Sequence, residues 1–107
     1  FGVVGLETLL PVTLEKVHEK SISVLDALAP LTCNPATLLG LKEGRLQKKY
    51  PANFVLFDLD RPFVIDGDTF LSKCKNSPFN DKKVNASVLK TIRAGNIVFD
   101  INNSSID

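Results

Sequence analysis

The sequence predicts an α+β fold in which a helical segment, residues 1–40, precedes a β segment, residues 41–107. In the first segment apolar residues recur at helical spacing, and proline and glycine stand where helices usually begin and end. The second segment holds short runs of apolar and β-branched residues separated by turn sequences. A helix with one apolar face needs a partner sheet, and a few short strands need a second layer, so neither segment is expected to be an independent domain.

The first predicted helix has one apolar face. Thr8 is its expected N-cap, and Pro11 then falls in the first turn, where a missing N–H costs least. The apolar positions follow a spacing near 3.6, and they are Leu6, Leu9, Leu10, Leu14 and Val17.

Two shorter helices are predicted next. The second should begin at Ser23 and end or kink at Pro30. The third has the clearest boundaries, with Asn34 as its cap, Pro35 in the first helical position and Gly40 at its end.

The β segment is predicted to contain four main strands and a short extended start. A nearly continuous apolar run at residues 53–58 is typical of a strand buried on both faces. The turn sequence Ala-Gly-Asn at residues 94–96 predicts a hairpin. The extended stretches are expected at residues 44–46, 53–58, 62–66, 88–93 and 97–99.

Composition excludes several classes of protein. Hydrophobic residues make up 44% and charged residues 23%, and the net charge of +1 gives no electrostatic case for nucleic acid or an anionic membrane surface. No apolar run approaches the roughly 20 residues needed to span a bilayer. Cys33 and Cys74 lie far apart without CxxC spacing, so we expect reduced thiols in a cytoplasmic protein. The chain has no methionine and opens with Phe1, so we expect further residues upstream.

The residues alone do not predict an active site. His18 falls near the end of the first helix, where a solvent-facing role that suits the helix dipole is expected. A zinc site needs three or four suitable ligands, which one histidine and two distant cysteines do not supply. Asp58 and Asp60 precede a proline, which favours a turn over a catalytic pair.

Several motifs together resemble dihydroorotases across nearly the whole chain. The opening Phe-Gly-Val-Val-Gly-Leu-Glu-Thr, residues 1–8, is similar to the family's segment after the last barrel strand. The most diagnostic stretch is Ser-Lys-Cys-Lys-Asn-Ser-Pro-Phe at residues 72–79. The Asn-Pro-Ala helix at 34–36 and the strand at 52–58 are shared with dihydropyrimidinases, hydantoinases and allantoinases. A departure from the family's Gly-Ala-Asp-Ala-Asp run at residues 49–53 alters only a surface turn.

This resemblance implies a particular architecture and reaction. Residues 1–40 would be the last helices of a TIM-type (β/α)8 barrel, and residues 41–107 the C-terminal share of a composite β-sandwich domain. The reaction would be the reversible cyclisation of N-carbamoyl-L-aspartate to L-dihydroorotate in pyrimidine biosynthesis. Zinc would be bound by the upstream part of the polypeptide, so this fragment alone would be inactive.

The resemblance also implies contacts for this segment. The backbone of Phe1 and Gly2 would contact the small-molecule substrate, although Gly2 could equally well only permit a turn. Residues 72–79 would pack and link the two parts of the chain, whereas their lysines offer anion binding as the alternative. The partners implied are the upstream part of the same polypeptide and a homo-oligomer, without nucleic acid or membrane.

Two alternatives remain open at this point. The chain could belong to another cyclic amidohydrolase, acting on dihydropyrimidines, hydantoins or allantoin. It could also come from an inactive dihydroorotase-like protein that serves as an assembly partner, for instance of aspartate transcarbamoylase. The zinc ligands that would separate an active enzyme from an inactive one lie upstream of Phe1 in the family.

Overall fold

The computed structural model describes residues 3–103 of the chain, and within this range the predicted α+β fold is confirmed. Helices come first and strands follow, as the sequence pattern indicates. The helices are α1 (Leu9–His18), α2 (Val24–Leu28) and α3 (Cys33–Leu39). The strands are β1 (Phe54–Asp58), β2 (Phe63–Val64), β3 (Lys83–Val84), β4 (Ser87–Arg93) and β5 (Asn96–Asp100). Short 3₁₀ turns lie at Ala29–Leu31, Gly67–Thr69 and Ile101–Asn103.

Helix α1 begins after Thr8, as predicted, but the threonine hydroxyl does not cap it. Instead, Thr8 Oγ1 donates to the carbonyl of Gly5 at 3.3 Å. The helix ends in a Schellman arrangement, in which the N–H of Ser21 bonds the carbonyl of Lys16 at 3.0 Å. Lys20 takes the left-handed conformation there, with φ of 60°, where glycine is the more usual residue.

The predicted cap of α3 is wrong by two residues. The helix begins at Cys33, so Asn34 lies inside its first turn and Pro35 occupies the third helical position. The chain runs from the preceding 3₁₀ turn directly into α3, and the hydroxyl of Thr32 donates back to the carbonyl of Leu28 at 2.8 Å. Gly40 ends the helix in the left-handed conformation, as predicted.

Strands β1, β4 and β5 form an antiparallel sheet with β4 in the centre. The predicted hairpin is confirmed. A two-residue turn joins β4 to β5, and both Ala94 and Gly95 have positive φ, at 50° and 78°. This is the geometry of a type I′ turn, whose twist matches that of the flanking strands. The side chain of Asn53 accepts the N–H of Ala94 at 2.7 Å and fixes the hairpin tip beside the start of β1.

The remaining strand predictions need two corrections. The run at 62–66 forms only the two-residue strand β2, which pairs with the unpredicted strand β3. Residues 44–46 form no strand, because Gly44 turns with φ of 73° and the side chain of Arg45 donates to the hydroxyl of Thr37 at 2.6 Å. Gly44 and Arg45 therefore lie against α3 instead of extending away from it.

Helix α1 contributes to both hydrophobic clusters of the described chain. Leu14 is fully buried against α2 and the start of β4 in the first cluster. Val12 packs against the second cluster, which gathers around Val84 of β3. The buried members of the first cluster are Leu14, Ala27 and Ala86, and those of the second are Ile65, Phe70 and Val84. The helical and β segments thus share their cores.

The expectation that β1 is buried on both faces is wrong for this chain. Phe54, Val55 and Leu56 retain 38–50% of their exposure. Phe57 of β1 does pack against the cluster around Leu14, whereas apolar side chains of β5 are exposed as well. Leu6 and Leu9 of the predicted helix face are also exposed, whereas Leu14 of the same face is buried. The apolar pattern therefore includes surfaces that contacts within the described chain leave open.

Candidate functional site

The predicted substrate contacts, Phe1 and Gly2, lie outside the described residues. The structure does describe the segment that follows them, residues 3–8. Val4 anchors this segment, because its side chain packs against the cluster around Val84 and its N–H donates to the carbonyl of Asn76 at 2.8 Å. Thr8, at the other end of the segment, is 2% exposed. The chain next to the predicted substrate contacts is therefore held at both ends.

Glu7 makes a second polar connection from the same segment. Its Oε2 accepts the backbone N–H of Leu71 at 2.8 Å, across 64 residues of sequence. The carbonyl of the same peptide group belongs to Phe70, and it accepts a hydrogen bond from the ammonium of Lys75. The peptide between residues 70 and 71 thus has a carboxylate at its N–H and an ammonium at its carbonyl. Both bonds involve a charged group, which makes each stronger than a bond between neutral groups.

These bonds join the two stretches that most favour a dihydroorotase. Glu7 belongs to the Gly-Leu-Glu-Thr opening, whereas Lys75 and Asn76 belong to the stretch at residues 72–79. Phe79, at the end of that stretch, packs against the same cluster as Val4. The predicted packing and linking role of residues 72–79 agrees with these contacts. Sequence reasoning did not assign a role to Glu7, and its place in the opening motif was the only available signal.

A close backbone approach shapes the loop that carries residues 70–80. A Cβ at Gly67 would lie 3.0 Å from the carbonyl oxygen of Lys75, so a larger residue would require the loop backbone to shift slightly. The N–H of Gly67 donates to Oδ1 of Asn80 at 2.8 Å. Glycine at this position lets the 3₁₀ turn and the loop pack directly on each other.

His18 does not face solvent as expected. Its ring is half-buried, and Nε2 lies 2.7 Å from the carbonyl oxygen of Leu59, just after β1. The end of α1 turns toward the first cluster, where Leu59 and Val17 pack, and this brings the ring against the β segment. The residue thus fastens the helix to the chain that follows β1.

The remaining polar candidates have local roles. Asp58 Oδ1 accepts the N–H of Asp60 at 2.9 Å, which confirms the predicted turn. Cys33 and Cys74 are both free thiols. Within residues 3–103 no group of three or more histidine, cysteine, aspartate or glutamate side chains is arranged to hold a metal ion.

Known proteins resemble this chain along most of its length. The model of the amidohydrolase family matches residues 5–98. The dihydroorotase of Ehrlichia chaffeensis is 44% identical over 99 residues, which are 92% of this chain and 22% of that protein. The dihydroorotase of Anaplasma phagocytophilum is 46% identical with the same coverage. The Clostridium botulinum enzyme of the same name is 37% identical over 92% of this chain and 25% of its own length.

A solved structure is also similar. The L-hydantoinase (dihydropyrimidinase) from Arthrobacter aurescens superposes with a TM-score of 0.88 at 31% identity, covering 92% of this chain and 23% of that protein. The chain thus spans about a quarter or less of the length of the proteins that it matches.

Proposed function

The chain belongs to the amidohydrolase family, as a dihydroorotase-type member, and on this premise we propose that it is part of a dihydroorotase. The full protein would interconvert N-carbamoyl-L-aspartate and L-dihydroorotate in pyrimidine biosynthesis. The observation that carries this proposal is the 44–46% identity to Ehrlichia and Anaplasma dihydroorotases over 92% of the chain. The contacts between the opening motif and residues 72–79 support it, because both stretches favour this branch of the family.

The proposal includes a place for each segment in the full protein. Residues 1–40 are the last helices of a TIM-type barrel, and residues 41–107 are the C-terminal share of a composite β-sandwich. Two features support this arrangement: helices give way to strands after residue 40, and the sheet exposes the apolar side chains of Val55 and Val98. A second layer from the rest of the protein would cover these side chains.

Zinc enters the proposal only through the rest of the protein. In this proposal the ion is held by the part of the polypeptide upstream of this segment. When bound, zinc supplies a water of lowered pKa and polarises the carbonyl that is attacked. What this segment contributes is the backbone of Phe1 and Gly2 as a substrate contact, together with the packing that holds the residues after them.

A second candidate function is hydrolysis of another cyclic amide, such as a hydantoin or dihydropyrimidine. The observation in its favour is the similarity to the Arthrobacter L-hydantoinase. The identity of 31% to that protein is lower than the 44–46% to the two dihydroorotases, which is why we place it second.

The test uses the full-length protein that contains this chain. We expect it to hydrolyse dihydroorotate with a kcat/KM at least about 100-fold above those for hydantoin, dihydrouracil and allantoin, because a site built for one ring discriminates through its polar contacts. Zinc content is measured on the same preparation, and a sample treated with a chelator serves as the control. The separately expressed chain of residues 1–107 should show no turnover.

The outcomes separate the candidates. Preferential opening of hydantoin or dihydrouracil would replace the first proposal with the second. A folded full-length protein without zinc and without turnover of any of these rings would instead indicate an inactive assembly partner, for which aspartate transcarbamoylase is the first candidate to test by co-purification.

The same proposal covers location and partners. The enzyme is a cytoplasmic homo-oligomer that acts on a small molecule, and neither nucleic acid nor a membrane is its partner. The net charge of +1 is consistent with this. In the described range, no helix has the length and apolar character required to cross a bilayer.

A further inference from the structure

We propose that Glu7 is a positioning residue for substrate binding, and that it acts through the peptide group between Phe70 and Leu71. This inference rests on the proposed function, because it takes the backbone of Phe1 and Gly2 as a substrate contact. The carboxylate of Glu7 would hold residues 3–8 against the loop at residues 70–76 and thereby fix the point from which the substrate-contacting residues extend.

The connection between Glu7 and Lys75 runs through a single peptide group. An N–H and a carbonyl of one peptide group point in opposite directions, so the Glu7 carboxylate and the Lys75 ammonium bind its two ends. The negative group sits at the positive end of the peptide dipole and the positive group at its negative end. Each bond polarises the peptide in the sense that strengthens the other. The arrangement therefore acts as one unit that joins Glu7 to Lys75.

Burial of apolar surface does not explain this connection. The side chain of Leu71 is 93% exposed, and the side chains of Glu7 and Lys75 are exposed as well. The apolar cluster already includes Phe70 as a buried member, and Val4 packs against it. A carboxylate that reaches across 64 residues of sequence to an exposed N–H adds little apolar packing, but it restricts how the segment lies on the loop.

Both anchors of the segment lie close to Gly2 in the chain. Val4, which makes one anchor to the loop, lies two residues after Gly2, and Glu7 lies five residues after Gly2. The two anchors hold the same segment to the same loop, at Asn76 and at Leu71. Two fixed points constrain the direction of a segment, whereas a single one allows it to rotate. Removing the Glu7 bond leaves the Val4 contacts to the loop and the buried Thr8 at the start of α1, and it frees the stretch between them to move relative to the loop.

Helix α1 supplies a matched control. Glu15 also uses its carboxylate to accept a distant backbone N–H, that of Asn85, at 2.9 Å and across 70 residues. It too ties the helical segment to the β segment, but it lies 13 residues after Gly2. A role in general stability is thus shared by both glutamates, and only Glu7 should affect substrate binding.

The experiment measures kcat, KM and the thermal midpoint for dihydroorotate hydrolysis by the full-length zinc enzyme and its variants. We expect Glu7→Ala to raise KM about fivefold to tenfold with kcat within about twofold, as for loss of a contact made equally in ground and transition states. Glu7→Gln keeps an acceptor oxygen at the same reach and should restore KM to within about twofold of the wild-type value. Glu15→Ala should lower the thermal midpoint at least as much as Glu7→Ala while KM stays within about twofold.

Lys75→Met tests the connection through the peptide. It removes the ammonium while keeping a chain of similar length, and it should raise KM in the same direction as Glu7→Ala. The double variant of Glu7→Ala and Lys75→Met should raise KM by less than the product of the two single fold-changes, since the two groups act on one peptide. Multiplicative effects would refute the connection through that peptide.

The remaining outcomes overturn the proposal in distinguishable ways. An active wild-type enzyme with an unchanged KM in Glu7→Ala refutes the positioning role alone. An equal rise in KM for Glu15→Ala refutes it as well, because the effect would then be general to the helix. A wild-type enzyme that does not act on dihydroorotate refutes the proposed function, and the positioning role falls with it.

Discussion

The chain exposes far more surface than a folded monomer of its mass. Its accessible area is 8067 Å², whereas the scaling for monomers gives about 5,900 Å² at 11.7 kDa. The six terminal residues outside the described range would account for less than half of the excess even if they were as exposed as an unfolded chain, at about 1.45 Å² per dalton. More than about 1,000 Å² of unusual exposure therefore lies on residues 3–103.

This area is large compared with the stability of a small domain. It includes apolar side chains on both outer strands of the main sheet, among them Val55 of β1 and Ile97 and Val98 of β5. If half of roughly 1,200 Å² is apolar, covering it is worth about 15 kcal/mol at about 25 cal/mol per Å². A domain of this length has a net stability of only about 5–15 kcal/mol. We therefore predict that residues 1–107, expressed alone, do not fold cooperatively.

Circular dichroism, hydrogen exchange and dye binding test this prediction, since the chain has no tryptophan for fluorescence. The isolated chain should melt without a sigmoidal transition, protect few amides, and bind an apolar dye such as ANS. The full-length protein is the control and should bind little dye at the same molar concentration. One coincident, cooperative transition for residues 1–107 by circular dichroism and hydrogen exchange, without dye binding, would refute the reasoning.

Two further predictions concern stability within the full-length protein. Leu14→Ala should reduce the free energy of local opening of α1, measured by native-state hydrogen exchange, by about 2–5 kcal/mol because Leu14 is fully buried. The control Lys16→Ala, at an exposed charged site of the same helix, should cost less than about 0.5 kcal/mol, and similar losses at both sites would contradict the assigned core. Gly44→Ala should lower the thermal midpoint much more than Gly95→Ala, because both have positive φ but only at Gly44 would a Cβ lie 2.5 Å from the Thr32 carbonyl oxygen. Equal shifts would mean that the backbone conformation alone sets the cost.

Local patterns were sufficient to predict the elements whose signals lie within a few residues. Ser23 accepts the N–H of Asp26 at 3.1 Å and begins α2 as predicted. Gly40 ends α3, and the turn at residues 94–95 forms the expected hairpin. Each of these depends on backbone conformations that particular residues favour wherever they occur.

The errors arise where contacts outside the predicted element outweigh its own signal. Asn34 and Pro35 are typical of a helix start, but the bond from the Thr32 hydroxyl to the carbonyl of Leu28 continues the preceding turn into α3. Strand β3 has only two residues and exists through its pairing with β2. No periodicity of so short a segment could have predicted it.

In the candidate site too, local motifs can be predicted from the sequence, whereas contacts between distant residues cannot. The two motifs could be identified from the sequence, but not the bond that joins them, because Val4 and Asn76 are far apart in the chain. His18 was assigned to the surface by the charged residues next to it in the helix. Its partner, the carbonyl of Leu59, follows a strand 41 residues further along the chain.

The sharing of α1 between two clusters has a consequence for how this region can change in length. Inserting one residue in the middle of the helix would rotate everything after it by about 100°, so that Val12 and Leu14 could no longer both meet their own clusters. By contrast, residues 41–53 connect α3 to β1 without helix or strand, and an insertion in such a connection costs little closure entropy. We expect natural variation in length to accumulate in this connection, while the spacing from residue 4 to the end of α1 stays fixed. For engineering, residues 46–49 are accordingly the place to introduce a tag or a cleavage site.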